Sequence, residues 1–353
     1  MAVEWIEDFG YGGTSDSMED RYPSNLFHAT TAAVTPGKFV GYAFGRGGGE
    51  QIADSWWRTP SLGMRRRRWV GQWVRIDDPA PAGAYLLAFV AGGVEQLRLD
   101  VALEAGGDWS LRVMRGTFEL AASRVIPRNE WVFVEFFAAI HPTVGEYELQ
   151  LDGIQELVAE DVNTADAGVP DFDAVEWAVD NNTPPSVWQF AHIYVVNDVT
   201  PGITGFLGPV VTTHLPPELI GARDELARSA GTDSVALVDE PVVADGDATY
   251  LRAQVNGAAV LLRPRRLRHI TRPIVAVAAV LDARLETTDT FRRLTTLWRQ
   301  GGVEVQGPSF ELSSTAYGTS VRVLEENPLT SRPWTLGDLA GADRVEAGVE
   351  ATD

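Results

Sequence analysis

Short alternations of apolar and polar residues, broken by turn residues, run through this chain and constrain its fold more than any other feature. Trp109, Leu111 and Val113 alternate with Ser110, Arg112 and Met114; Leu97, Leu99 and Val101 alternate with Arg98 and Asp100; Tyr147, Leu149 and Leu151 alternate with Glu148, Gln150 and Asp152. A period of two sends successive side chains to opposite faces of a pleated strand, so each run predicts a half-buried strand. Asp152 and Gly153 then supply a two-residue hairpin turn, because both central residues of a type I′ turn need positive φ. Residues 131–137 (WVFVEFF) are apolar on both faces apart from Glu135, the pattern of a central strand in a packed sheet. Turn-rich text recurs at 45–49 (GRGGG), 77–83 (DDPAPAG) and 180–185 (DNNTPP), and no convincing amphipathic helix precedes residue 200. The pattern predicts an all-β chain built as a sandwich.

A length of 353 residues suits two domains. The Pro- and Gly-rich text at 199–217 marks a boundary, giving expected domains 1–203 and 204–353. The second part also reads mostly as β. Residues 274–285 form an apolar run fit for a buried strand, and 294–298 leads through Gly301-Gly302 into 303–305 as a hairpin. Residues 216–229 and 336–342 are candidate short helices, although Gly221 and Gly341 interrupt them. With no cysteine, the chain has no disulfide framework, zinc-thiolate site or thiol nucleophile. A net charge of −20 repels phosphate, so nucleic acid is not an expected partner. No apolar run reaches the length of a membrane-spanning helix, the acidic N-terminus lacks the pattern of a signal peptide, and the first strand is expected by Glu4. Neither a membrane nor a leader is therefore expected.

Three pieces of the first part resemble the concanavalin A-like, laminin-G-like jelly roll: residues 131–153, ending in YELQLDG; residues 188–198 (WQFAHIYVVND), similar to the closing strand of that fold; and residues 4–13 (EWIEDFGYGG), similar to its first strand. The second part resembles the C-terminal half of structural proteins of tailed bacteriophages. The matching text is 206–213 (FLGPVVTT), then HLPPE, then Val238-Asp239-Glu240, 245–251 (DGDATYL) and 334–339 (WTLGDL). This chain has HLPPEL where that family has a text closer to LLPTAD. The resemblance implies a jelly-roll sandwich followed by a smaller β-sandwich, in a virion protein of the tail, fibre, baseplate or capsid surface. Its implied partners are other virion proteins, copies of itself and a host-surface glycan. It implies a place in the virion after assembly in the host cytoplasm.

Several residues carry candidate chemistry. Trp56 and Trp57, adjacent on one strand, point to opposite faces, so one is free to stack on a sugar ring or to pack in an interface. Asp180, Asn181 and Asn182 place carboxylate and amide oxygens in one loop, a donor set for sugar hydroxyls or for calcium, with Asp180 as the metal candidate; the same text also makes a plain Asx-rich turn. Arg65, Arg66, Arg67 and Arg68 form one basic run, and Arg263, Arg265, Arg266 and Arg268 a second. Both are candidates for interfaces with acidic neighbours, for which 146–198, with 12 acidic residues and no Lys or Arg, is a partner within the same chain type. The text DFDAVE at 171–176 resembles the Glu-x-Asp-x-x-Glu strand of laminarinase-type jelly-roll hydrolases. Asp171 stands at the nucleophile position, one methylene short for a retaining pair with Glu176. No metal-binding His pair, G-x-S-x-G elbow or phosphate loop occurs. A non-enzymatic virion component is thus the expectation, with a glycan-degrading hydrolase or a non-viral carbohydrate-binding module as alternatives.

Overall fold

The computed structural model describes residues 2–7, 27–28, 32–36, 42–46, 55–77, 85–166, 168–179, 188–198, 205–213, 215–238, 249–267, 273–285, 291–312, 315 and 318–352. The chain divides into two compact units, Met1–Thr213 and His214–Asp353. Residues 205–213, which the sequence places with the second domain, belong to the first unit because their backbone hydrogen-bonds to its larger sheet.

The first unit is a sandwich of two antiparallel sheets. Its strands are β1 (Ala2–Glu7), β2 (Phe27–His28), β3 (Ala32–Pro36), β4 (Tyr42–Arg46), β5 (Ser55–Arg58), β6 (Arg67–Ile76), β7 (Tyr85–Ala91), β8 (Val94–Leu103), β9 (Trp109–Arg115), β10 (Phe118–Ala122), β11 (Trp131–Ala139), β12 (Gly145–Leu151), β13 (Ile154–Val162), β14 (Ala174–Val179) and β15 (Trp188–Asn197). The larger sheet runs β13-β12-β11-β6-β15-β4-β3, with β1 also on β15; the smaller runs β10-β9-β8-β7-β14-β5-β2. This is the sandwich that the alternation predicts and the jelly-roll class that the resemblance implies, with sequence-distant strands as neighbours in both sheets.

The alternating runs face inward as expected: Leu97, Leu99, Val101, Trp109, Leu111 and Val113 are buried. Between the sheets Phe89 of β7 stacks on Phe136 of β11 with ring centroids 5.6 Å apart, and Phe172 lies 4.5 Å from Phe89. Burying side chains of this size stabilises the fold by roughly 1.5–3 kcal/mol each. Asp152 and Gly153, at φ 54° and 79°, form the β12–β13 turn in the positive-φ geometry the sequence requires.

Arg68 corrects an expectation. Its side chain is fully buried, where it donates to Glu4 (2.6 Å) and to the carbonyls of Phe172, Leu62 and Gly63, and it lies 4.8 Å over the Phe172 ring. An arginine spent on internal partners is not available to another subunit. The cause is alternation along β6, which turns Arg68, Val70 and Gln72 inward and Arg67 and Trp69 outward.

The second unit contains β16 (Pro217–Asp224), β17 (Ala227–Arg228), β18 (Leu251–Arg252), β19 (Ala259–Pro264), β20 (Val277–Ala283), β21 (Arg293–Gln300), β22 (Val303–Glu311), β23 (Gly318–Leu324), β24 (Glu326–Asn327), β25 (Arg332–Pro333), α1 (Leu336–Ala340) and β26 (Glu346–Thr352). A five-stranded sheet runs β16-β19-β26-β21-β22, and β20 pairs with β23. Val277, Ala279 and Leu324 of that ribbon pack on a core of Leu267, Trp298, Trp334, Leu339 and Val345, which makes a second, smaller sandwich. The strand within 274–285 forms, but half-buried rather than buried, and the β21–β22 hairpin forms as expected. So does the short helix at 336, whose Thr335 and Asp338 make a reciprocal capping box. The helix expected at 216–229 is instead β16 and β17. Pairing with β19 prevails over local propensity there, and Gly221 admits Glu346 Oε2 and the Leu261 carbonyl at 2.7 Å from where a Cβ would lie.

Candidate functional site

The outward face of the larger sheet holds the site. Cross-strand register sets Trp69 of β6 opposite Phe137 of β11, Phe137 opposite Glu148 of β12, and Glu148 opposite Val158 of β13. The neighbouring row sets Arg67 and Glu146 on either side of Ala139. These outward positions line a groove of about 530 Å³, with Gln150, Gly153 and Glu160 on its wall and Gly205, Phe206 and Gly208 on its rim. Trp69 stacks on Phe137 at 4.4 Å between centroids, and the Arg67 guanidinium lies 5.1 Å from the Phe137 ring. Arg67 pairs with Glu146 at 2.9 Å, and Gln150 Nε2 donates to Glu148 at 2.8 Å. The floor is aromatic and the wall is made of carboxylates and an amide. Trp69 and Phe137 are themselves nearly buried, so what the groove presents is chiefly its polar wall, whose carboxylates and amide can accept hydrogen bonds from hydroxyls.

The rim is a strap, residues 205–213, fixed to the same face at four points. The Leu207 N–H donates to Tyr194 Oη (3.1 Å) and the Gly208 N–H to Glu135 Oε1 (2.8 Å). The Trp73 indole donates to the Val210 carbonyl (3.0 Å), and the Thr212 N–H to His192 Nδ1 (3.2 Å). Tyr194 also donates to Glu135. Gly71, opposite Tyr194 in the register, makes room for its ring, since a Cβ there would lie 2.1 Å from it. Burial raises the Glu135 carboxyl above the ordinary carboxylate range; the hydrogen bonds from Tyr194 and Gly208 oppose that shift, and the nearby Glu148 charge adds to it. Glu135 was the one polar residue in its strand, and its role is to anchor the strap.

A second polar group lies on the smaller sheet. Glu176 on β14 accepts from Arg58 Nε (2.7 Å) and from Tyr85 Oη. Burial and the Glu176 carboxylate raise the Tyr85 phenol well above its ordinary value, so it stays protonated. Asp173 accepts from Ser61 and from the Gly92 N–H.

The expected site residues are dispersed. Trp56 and Trp57 lie on β5 of the smaller sheet, opposite Ala178 and Trp177, and so not in the groove. Asp180, Asn181, Asn182 and Arg268 lie outside the described residues. Of the first basic run, Arg65 is exposed, Arg66 donates to the Val144 carbonyl, Arg67 lines the groove and Arg68 is buried. Of the second, Arg265 and Arg266 are exposed, while Arg263 is partly exposed and pairs with Glu346 of its own chain at 2.5 Å. Sequence reading missed Trp69, Phe137, Glu148 and Gln150. The available signal was the strand at 131–137, apolar on both faces, which means that something covers the outward one.

Among the described residues, no group of three or more His, Asp or Glu is placed to hold a metal ion, and no helix is long and apolar enough to cross a membrane. No family model matches the chain, and no curated protein matches it. Solved structures similar to it include a sialidase, at 11% identity and a TM-score of 0.40 over 56% of this chain; the match spans 19% of the sialidase. Another is the endo-β-1,4-glucuronan lyase from the fungus Trichoderma reesei, at 10% identity and a TM-score of 0.38, covering 55% of this chain and 95% of that one. A third is the CBM2 module of the evolved Dit of Lactobacillus casei BL23 phage J-1, at 12% identity and a TM-score of 0.33, covering 55% and 94%. At these identities and scores the likeness carries no functional argument, and function rests on the residues of the site.

Proposed function

We propose that this chain is a structural component of a tailed phage or phage-like particle, in the tail, fibre, baseplate or capsid surface, and that its first unit contacts a host-surface glycan. The observation that carries the glycan part is the groove, whose wall of Glu148, Gln150 and Glu160 offers acceptors to hydroxyls above the nearly buried Trp69–Phe137 stack. The particle part rests on the sequence resemblance at 206–251 and 334–339. Its partners in this reading are other virion proteins and further copies of itself, met through exposed basic residues such as Arg65, Arg265 and Arg266. Mass spectrometry of purified particles tests the particle part, and absence of the chain from them defeats it.

The proposed role is non-catalytic. Supporting this, Glu176 is already held by Arg58 and Tyr85, and Asp171 is a methylene shorter than the glutamate of the hydrolase pattern. Reducing-sugar release from β-glucans or bacterial capsules that disappears in Glu176→Gln would establish the hydrolase instead.

A further inference from the structure

We infer that the groove takes a neutral or amine-bearing sugar and rejects uronates and other anionic glycans, an inference that rests on the glycan reading above. The lining carries three carboxylates, Glu146, Glu148 and Glu160, against the single cation Arg67. That cation is already engaged, paired with Glu146 at 2.9 Å and lying over the Phe137 ring. Its charge is offset by Glu146, and with Glu148 and Glu160 beside it the lining keeps an excess of two formal negative charges. Gln150 uses its amide N–H on Glu148 at 2.8 Å, which leaves its carbonyl oxygen as a further acceptor. The wall is thus rich in acceptors and poor in free donors. Hydroxyls and ammonium groups supply the donors that such a wall needs. A uronate, sulfate or phosphate brings more acceptors and a like charge. Repulsion between that anion and the wall carboxylates weakens its binding, and salt screens it. The net charge of −20 on the whole chain acts in the same direction at long range.

The test is calorimetric titration of the full chain with three sets of oligosaccharides of matched length: neutral β-glucan oligomers, chitosan oligomers and oligo-uronates. The neutral or the chitosan set should bind, with oligo-uronates about tenfold weaker or worse at moderate salt. The double variant Glu148→Gln, Glu160→Gln should narrow that gap severalfold, read as the ratio of the uronate affinity to the neutral affinity in the same variant. Val158→Trp changes an exposed groove residue and so should leave the fold intact while blocking all groove binding. Oligo-uronates that bind as tightly as neutral sugars, and lose binding in Val158→Trp, overturn the charge inference and leave the glycan reading standing. If no set binds, or if binding survives Val158→Trp, the groove is not a glycan site and both readings fall together.

Discussion

Glu135 in the first unit and Glu346 in the second are both buried carboxyls that hold a passing backbone segment, yet their electrostatics run in opposite directions. Glu135 holds Gly208 of the strap, has Tyr194 as its other donor, and meets no cation through those bonds; burial raises its carboxyl. Glu346 holds Ala222 of β16, and burial opposes its ionisation too. There, however, the bonds from Arg263, Ala222 and Arg299 prevail and keep the carboxyl below its ordinary range. Opposite signs recur at a second carboxyl in each unit. Asp100 of the first unit is raised by burial despite Arg98, and Glu225 of the second is lowered chiefly by Arg223. Burial does not set the sign of a shift; the balance between lost hydration and supplied donors does.

The largest expected effect is on Glu346→Ala, which leaves Arg263 and Arg299 without their shared carboxylate and the Ala222 N–H without its acceptor. Both arginines retain some solvent, so the loss should be about 2–3 kcal/mol, below the full cost of an orphaned buried ion. Denaturant unfolding with hydrogen exchange on β19 and β26 measures it, and a negligible loss would mean that the cluster contributes nothing net. Next is Gly71→Ala, whose new Cβ meets the Tyr194 ring and dislodges one of the strap anchors. A cost of about 1–3 kcal/mol is expected for such overpacking, with faster amide exchange across 205–213. Unchanged strap protection would show that Tyr194 is not an anchor.

The pH response sharpens the comparison further. A raised carboxyl contributes stability that is fully present below its ordinary pKa and is lost as pH rises through the folded value; a lowered one contributes stability that is present above its ordinary pKa and is lost as pH falls through the folded value. Strap protection should therefore weaken as pH rises above the ordinary carboxylate range, while protection of β16 and β26 should weaken as the solution is acidified. Slopes of the same sign in both regions would break the contrast. The smallest effect is on Glu135→Gln, which keeps an acceptor for the Gly208 N–H and removes the titrating carboxyl. It should change stability at neutral pH by no more than about 1 kcal/mol and flatten the pH dependence of the strap. A strap that keeps its full pH dependence in this variant assigns the titration to another group.

Much of the sandwich was legible because strand alternation is a local property. The Tyr147–Leu149–Leu151 run and the Asp152-Gly153 turn formed as their residue types dictate. The groove was not legible, because β6 and the strap, both far in sequence from the consecutive β11, β12 and β13, complete its lining. Glu135 marked an anomaly in its strand but carried no sign of what it would meet. The four consecutive arginines show the same boundary at single-residue scale. Alternation alone puts Arg67 and Arg68 on opposite faces of β6, but only the fold supplies Glu146 for one and Glu4 with the Phe172 carbonyl for the other.

The sequence by itself determined the all-β class, the faces of the regular strands and the hairpin turns, since these depend on residues within a few positions of one another. Tertiary structure decided which outward face was covered, where residues 205–213 ran, and which buried carboxyls met a cation. These depend on partners brought together by sheet order, and the local pattern of an antiparallel chain leaves that order open.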